Sequence, residues 1–419
     1  MDVNQKPVAL VLGGTAPHIV LINHLKKRGY YVVLLDYLDN PPAKAHAHLH
    51  VQESTLDMDK VLEVAKELNT QLVISSSIDQ ANVTACYVAE QMGLTKPYSY
   101  ETALAVSNKG KMKEMMRRNG VPTSRFVYVE YQNELEQAGL KWPLMVKPAD
   151  ACGSAGVKKV KNQNELAQYF EFAKTISRTD KVIVEEVVEG LEVSAYCFIE
   201  KGEARLLMMS ERLSVANEAD DVIKCYATIT PPDISTHAKK RIVEAAQQVA
   251  DMYGLDNTPL HIQAFVSGET IHVIEFAPRA GGGISHETIF DETGFDIIDA
   301  TIDSFLEVPH RVEIQPSGLH QAIGIIYALP GVFVKVTGMD KLMEEGLVKA
   351  YYGYKPPHTN IQGITASKCR IGAYVVKAHS KKELFNSLHR VVNSLDVLNE
   401  QGESMYDKGI YESIEAAYS

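Results

Sequence analysis

The stretch IHVIEFAPRAGGG, Ile271 to Gly283, decides how the rest of this chain is read. IHVIEF is β-branched and aromatic, and it ends near Pro278, which cannot continue a central ladder, so Glu275 is expected near the end of a strand. A carboxylate there can hold magnesium through oxygen, and the Arg279 guanidinium can grip a carboxylate or phosphate with two parallel hydrogen bonds. The glycines that follow allow positive φ and close backbone approach. Together these features suit a metal-nucleotide site. The plainer alternative is a structural ion pair between Glu275 and Arg279 above a Gly-rich turn.

Just upstream, LHIQAFVSGETIHVIEF reads as a hairpin turning at Ser267 and Gly268, preceded by a helix over HAKKRIVEAAQQVADMYG. At the N-terminus, PVALVLGG reads as a buried strand, HIVLINHLKKRG as an amphipathic helix and YYVVLLD as a second strand ending at Asp36. DKVLEVAKELN and QLVISSS repeat that alternation, so a parallel sheet is expected in roughly the first hundred residues. From about residue 101 the pattern changes to a helix over NKGKMKEMMRRNG, ended by Gly120 and Pro122. PLMVKPADACGSAGVKKV then has the form strand, glycine-bearing loop, strand, and KVIVEEVVEGLEVSAYCFIE supplies two strands around Gly190. Beyond residue 318, HQAIGIIYAL and RIGAYVVKA read as strands and SKKELFNSLHRVVNSL as a helix.

At 419 residues the chain exceeds one ordinary core. Its net charge of -11 argues against broad nucleic-acid binding, though not against a local basic pocket. The five cysteines, Cys86, Cys152, Cys197, Cys225 and Cys369, form neither metal-ligand pairs nor a disulfide framework, so reduced thiols are expected. MDVNQKPVALVLGG resembles neither a secretory leader nor a membrane span, and the expectation is a cytoplasmic protein with no membrane partner. LGGTAP lacks the dinucleotide fingerprint, and Gly13 and Gly14 are read as a turn. In AHAHLH, His46, His48 and His50 would share one face of a strand, but zinc needs about four ligands and no fourth is near, so a polar strand edge is expected.

Lys147 closes an apolar strand, and the loop after it carries Gly153, Ser154 and Gly156, whose amides can turn toward phosphate oxygens. Lys109 precedes this loop at a helix start; VIVEEVV and the Glu275 strand follow it. In that order the motifs resemble the ATP-grasp superfamily, particularly its carboxylate-amine ligases of the L-amino acid ligase kind.

The resemblance spans nearly the whole chain. It implies an α/β and α+β multidomain architecture: an N-terminal parallel α/β domain over 1–100, an ATP-grasp core over 101–310 with a lid subdomain over 121–192, and a C-terminal α/β domain over 311–419. By motif position Lys109 resembles the first nucleotide lysine, with Lys111 as a nearby competitor, and Lys147 the second. Gly153, Ser154 and Gly156 resemble the phosphate flap. Glu185, Glu186 and Val188 resemble the hinge that meets the adenine edge, and Glu192 the acid that accepts the ribose hydroxyls; a solvated acidic edge is the alternative for at least one of Glu185, Glu186 and Glu189. Arg279 would orient a carboxylate or stabilise the tetrahedral intermediate. Gly282 and His286 would contact substrate, with a helix-start hydrogen bond as the other reading of His286.

One departure stands out. The resembled proteins commonly carry two acids and an asparagine, the last two as E-x-N. Here Ala277 replaces the asparagine and Gln263 the earlier acid, which leaves Glu275 and Gln263 to hold Mg2+ or Mn2+. Either the metal site is unusual, or Glu218, Asp220 or Asp221 helps, or turnover is lost. The implied reaction is ATP-dependent joining of a small-molecule carboxylate to an amine through an acyl phosphate, by a homodimer. The alternatives are a purine-pathway or carboxylating ATP-grasp enzyme, and a nucleotide-binding regulatory protein without turnover.

Overall fold

PVALVLGG and YYVVLLD fold as neighbouring strands, Val8–Leu12 and Tyr31–Leu35, joined by the helix Ala16–Lys27. They belong to a four-stranded sheet that places Val8–Leu12 between Tyr31–Leu35 and Leu72–Ile74, with Leu49–Val51 at the edge. Every pairing in it is parallel. Both faces carry helices, so the strands are almost continuously apolar and buried. The structure, a computed structural model, describes residues 6–135, 138–150, 156–216, 223–362 and 365–412. No helix among them is long and apolar enough to cross a membrane.

The histidine run sits on the edge of this sheet. His46 ends the short 3-10 turn Lys44–His46, and only His50 lies within the strand Leu49–Val51. His48 accepts a hydrogen bond from Val32 N at 2.9 Å and stacks on Tyr31, so the three rings do not share a face.

A second, antiparallel sheet of four strands has the order Phe126–Val129, Val182–Glu186, Leu144–Pro148, Lys158–Val160. The helix Gln163–Ile176 packs on it through Leu166, Phe170 and Ala173, which gives this unit its own small core with Val146, Val160 and Val184. The chain leaves it at Gly190. With φ at +152° and a built Cβ only 2.4 Å from Val266 O, that position excludes other side chains.

The largest sheet has eight strands, all antiparallel, and runs Thr270–Ala277, Thr258–Ser267, Leu191–Glu200, Glu203–Ala216, Ile223–Thr230, His320–Tyr327, Arg370–Ala378, Ala350–Gly353. Three strands from the region after 311, His320–Tyr327, Arg370–Ala378 and Ala350–Gly353, extend the central sheet, and three others, Gly331–Thr337, Thr359–Ile361 and Asp396–Asn399, form a small sheet of their own. The hairpin between Ser267 and Thr270 turns at Gly268 and Glu269, one residue later than expected, because Ser267 and Thr270 are the last pair in register. Cys86, Cys197 and Cys225 are buried free thiols, and burial pushes Cys86 and Cys197 up to about 12.

Candidate active site

The two antiparallel sheets meet along a cavity of about 310 Å³, at the lower end of the range for small-molecule sites, roughly 300–1,000 Å³. The four-stranded lid contributes Met145, Lys147, Glu185 and the exit segment Glu186 to Val188. The eight-stranded core contributes Glu192, Arg212, Cys225, Gln263, Phe265 and Glu275, and Lys109 enters from a helix start. A wider depression of about 510 Å³ lies around Gly190 and the turn at Gly268, but its charged lining residues, Asp233 and Glu269, are both acidic. Charge therefore separates the two: only the smaller cavity has cations to meet an anionic ligand.

Lys109 opens the helix Lys109–Arg118, where Asn108 caps the end by accepting from Lys111 N at 3.0 Å. The Lys109 amide donates to Ala149 O at 3.0 Å, which ties the helix start to the lid just past Lys147. Its ammonium pairs with Glu275. Lys111 is exposed and does not line the cavity, whereas Lys109 does.

Gln263 and Glu275 stand directly opposite each other in the ladder of neighbouring strands, a placement fixed by the hairpin register. Burial alone would raise the Glu275 carboxyl, but the Lys109 ammonium, with help from Lys147, outweighs it and holds the group at about 2. Ala277 is buried opposite His261 and offers no ligand. Among the described residues no three His, Cys, Asp or Glu side chains cluster as a metal cage. A carboxylate beside an amide carbonyl suits a magnesium ion that keeps waters and takes its other ligands from substrate phosphates. Glu218, Asp220 and Asp221 lie outside the described residues, as do Cys152, Gly153 and Ser154.

Gly156 is described, with φ at +69°; a Cβ there would lie 2.7 Å from Pro148 Cγ, so Gly156 itself packs closely against the end of the Lys147 strand. Lys147 pairs with Glu185, whose other oxygen lies 2.7 Å from Lys113 Nζ. Burial opposes ionisation of Glu185, yet the two lysines hold its carboxyl well below the usual range. Its side chain is thus a counter-ion for both lysines and lines the cavity. Glu186 also lines the cavity, and its carboxylate accepts from Lys141 N at 2.9 Å and lies 3.6 Å from Arg125. Val187 donates its amide to Pro143 O at 3.2 Å, and Val188 lines the cavity. Glu192 lies 2.7 Å from Arg212 Nε, an ion contact without hydrogen-bond alignment.

Arg279, Gly282 and His286 do not line this cavity. Arg279 pairs neither with Glu275 nor with an open space: Nε and Nη2 reach the two oxygens of Asp79 at 2.7 and 3.0 Å, and Nη1 donates to Ala280 O. Asp79 is the first residue of a helix in the N-terminal domain. Gly282 is exposed. His286 lies in the first turn of the helix Ser285–Thr293 with neither ring nitrogen hydrogen-bonded, so the helix-start bond is not formed; burial pulls it down to about 4.

Three contributors were not legible in the sequence reading. Lys113 shares the helix of Lys109 and was overshadowed by it, though its place one turn later is a signal for the same face. Arg212 comes from the long strand Glu203–Ala216, and Arg370 comes from the distant strand Arg370–Ala378, where Nε donates to Tyr327 Oη at 3.0 Å.

Comparison with known proteins fits this geometry. Residues 140–288 match a family model described as ATP-grasp domain. The sequence is 23% identical over 413 residues to a formate-dependent phosphoribosylglycinamide formyltransferase of Prochlorococcus marinus, covering 96% of this chain and 100% of that one. It is 24% identical over 254 residues to an L-arginine-specific L-amino acid ligase of Bacillus subtilis, covering 56% and 59% of the two chains. The crystal structure of an L-amino acid ligase from Bacillus licheniformis superposes with a TM-score of 0.79 at 20% identity, over 94% of this chain and 99% of that one, which shows a shared fold.

Proposed function

This chain has the ATP-grasp fold, and from that premise we propose that it is an ATP-dependent carboxylate-amine ligase working through an acyl phosphate. The observation that carries the reading is the meeting of Lys109, Lys147, Gln263 and Glu275, from three separate stretches of chain, around one cavity between lid and core. Lysine and amide or carboxylate oxygen in one small space suit a metal-bound polyphosphate and little else of that size.

In this reading the adenine lies against Met145, Val188 and Phe265, with the exit segment of the lid along its edge. The triphosphate draws Lys109 from Glu275 and Lys147 from Glu185, and both ammonium groups offset charge as the γ-phosphoryl group passes to a carboxylate oxygen. Magnesium held by Gln263 and Glu275 would neutralise phosphate oxygens there. A flap carrying Gly153, Ser154 and Gly156, as the family resemblance implies, would exclude water from the acyl phosphate. An amine then attacks the carbonyl carbon, the C–O bond to phosphate breaks, and the amine proton leaves with phosphate or solvent. The products are an amide, ADP and phosphate.

Arg279 and Gly282 stand beyond the metal strand, toward the N-terminal domain, and a substrate carboxylate there would compete with Asp79 for the guanidinium. His286 is enclosed and edge-on to Tyr352, and because burial pulls its ring down to about 4 it contributes shape and not a charged group in this reading. Small carboxylates and amines are the substrates on this view, with the homodimer implied by the family resemblance.

The direct test supplies Mg-ATP with amino acids, singly and in pairs, and follows phosphate release together with amide products by mass spectrometry. ATP binding without phosphate release from any combination would remove the ligase reading and leave a nucleotide-binding module. A second reading draws on the relative that matches the chain over most of its length: formate as the carboxylate and phosphoribosylglycinamide as the amine. That pair belongs in the same screen, and phosphate release confined to it would select this reading.

A further inference from the structure

Lys113 is the most deeply enclosed cation near the cavity, with its side chain only 2% exposed, and it does not line the cavity itself. Its three donors are taken: Nζ lies 2.8 Å from Thr123 Oγ1, 3.0 Å from Ser124 Oγ and 2.7 Å from Glu185 Oε2. Ser124 Oγ donates a hydrogen bond to the same carboxylate oxygen at 2.7 Å, and Thr123 donates to Val273 O at 2.8 Å on the strand that carries Glu275. The other oxygen of Glu185 holds Lys147, which does face the cavity. One carboxylate thus sits between two ammonium groups, one behind the cavity wall and one in front.

The charges of this trio do not cancel. Two lysines and one glutamate leave a single positive charge, and because Lys113 is shut away behind Glu185, the surplus is presented by Lys147 to whatever enters. Without Lys113, Glu185 and Lys147 would form a neutral pair. Coulomb interactions are strong where water is excluded, so the difference is felt by a bound polyphosphate.

We propose that Lys113 is a positioning residue that fixes the phosphate affinity of the cavity by neutralising Glu185 from behind, so that Lys147 keeps a net positive charge toward the nucleotide phosphates. This rests on reading the cavity as an ATP site. It also couples lid to core, since Lys113 stands on the helix Lys109–Arg118 and Glu185 on the lid strand Val182–Glu186.

The test is equilibrium binding of ATP and of adenosine to the full chain, read by the fluorescence of Trp142, the single tryptophan, whose neighbour Pro143 bonds the exit segment of the lid. The quantity is the ratio of the adenosine Kd to the ATP Kd. Lys113→Met should lower that ratio about tenfold or more while the adenosine Kd stays within about twofold, and Lys113→Arg should keep it. In Lys113→Met with Glu185→Gln the net charge of the trio returns to plus one, so the ratio should recover to within about threefold of the wild type. A merely structural role would weaken ATP and adenosine alike, and charge restoration would not rescue it; either result overturns the proposal, as does an unchanged ratio in Lys113→Met. Should Lys113→Met fail to fold, Glu185→Gln alone, with a surplus of two charges, must exceed the double variant in that ratio, and equal ratios refute it. A wild-type chain that binds neither nucleotide by this signal or by equilibrium dialysis would instead remove the ATP-site reading beneath it.

Discussion

At the scale of single residues, the site is a set of opposite charges held in pairs. Lys109 leans on Glu275 and Lys147 on Glu185, so each ammonium is already placed at the cavity and needs only an exchange of partner. Lys111, two residues from Lys109, points into solvent. Lys147→Ala should therefore lower ATP-dependent phosphate release on the order of a hundredfold, as loss of a preorganised charge does, while Lys111→Ala should stay within about twofold. Steady-state assays of the two purified variants decide this. The Gln263 and Ala277 departures also have a measurable consequence. Because Gln263 lies directly opposite Glu275, Gln263→Glu would set a second carboxylate beside the first and should lower the magnesium concentration for half-maximal turnover several-fold. A magnesium titration that shows no shift would take Gln263 out of the metal site.

Elements bring these residues together, and their legibility differed with the kind of signal each carried. The hairpin around Gly268 and the βαβ opening were readable because apolar periodicity and turn residues are local. The strands Glu203–Ala216 and Ile223–Thr230 escaped that reading: ARLLMMSERLSVA mixes charged and apolar positions without clean alternation, yet it forms a central strand flanked on both sides. Arg212 was missed with it. Arg279 stood out in the sequence as a candidate guanidinium but its partner did not, since Asp79 lies 200 positions away in the sequence and meets it only when the N-terminal helix packs on the core. The segment from Val187 to Gly190 joins the lid to the core, and at its glycine the backbone geometry forbids a side chain. Gly190→Ala forces a Cβ against Val266 O and should cost about tenfold or more in turnover, with ATP affinity falling in parallel. Turnover and nucleotide binding measured on that variant check it; a change in neither would mean the exit segment is free to move.

For the whole molecule, acid sensitivity should follow from three enclosed histidines in three parts of the fold. Burial pulls His18 to about 4, His261 to about 3, with the Arg279 and Arg212 charges helping, and His286 to about 4. Each is neutral when folded and binds a proton when unfolded once the pH drops below its ordinary value of 6.5. The unfolded chain then holds more protons, so stability is complete above that value and declines as pH falls from it toward about 4. Urea midpoints measured across this window should fall, and His286→Gln should flatten the slope; an unchanged slope would mean His286 is protonated in the folded state. By itself the sequence determined the alternation of elements, the parallel opening domain, the order of the nucleotide-type motifs and the residue types at Lys109, Lys147 and Glu275, because local periodicity and short motifs are written within a few residues. Only the tertiary structure decided that three of the strands after 311 complete the core sheet, that Lys113 stands behind Glu185, that Arg212 and Arg370 reach the cavity and that Arg279 rests on Asp79. These depend on segments far apart in the chain meeting in space, and long-range contact leaves no periodic trace in either segment alone.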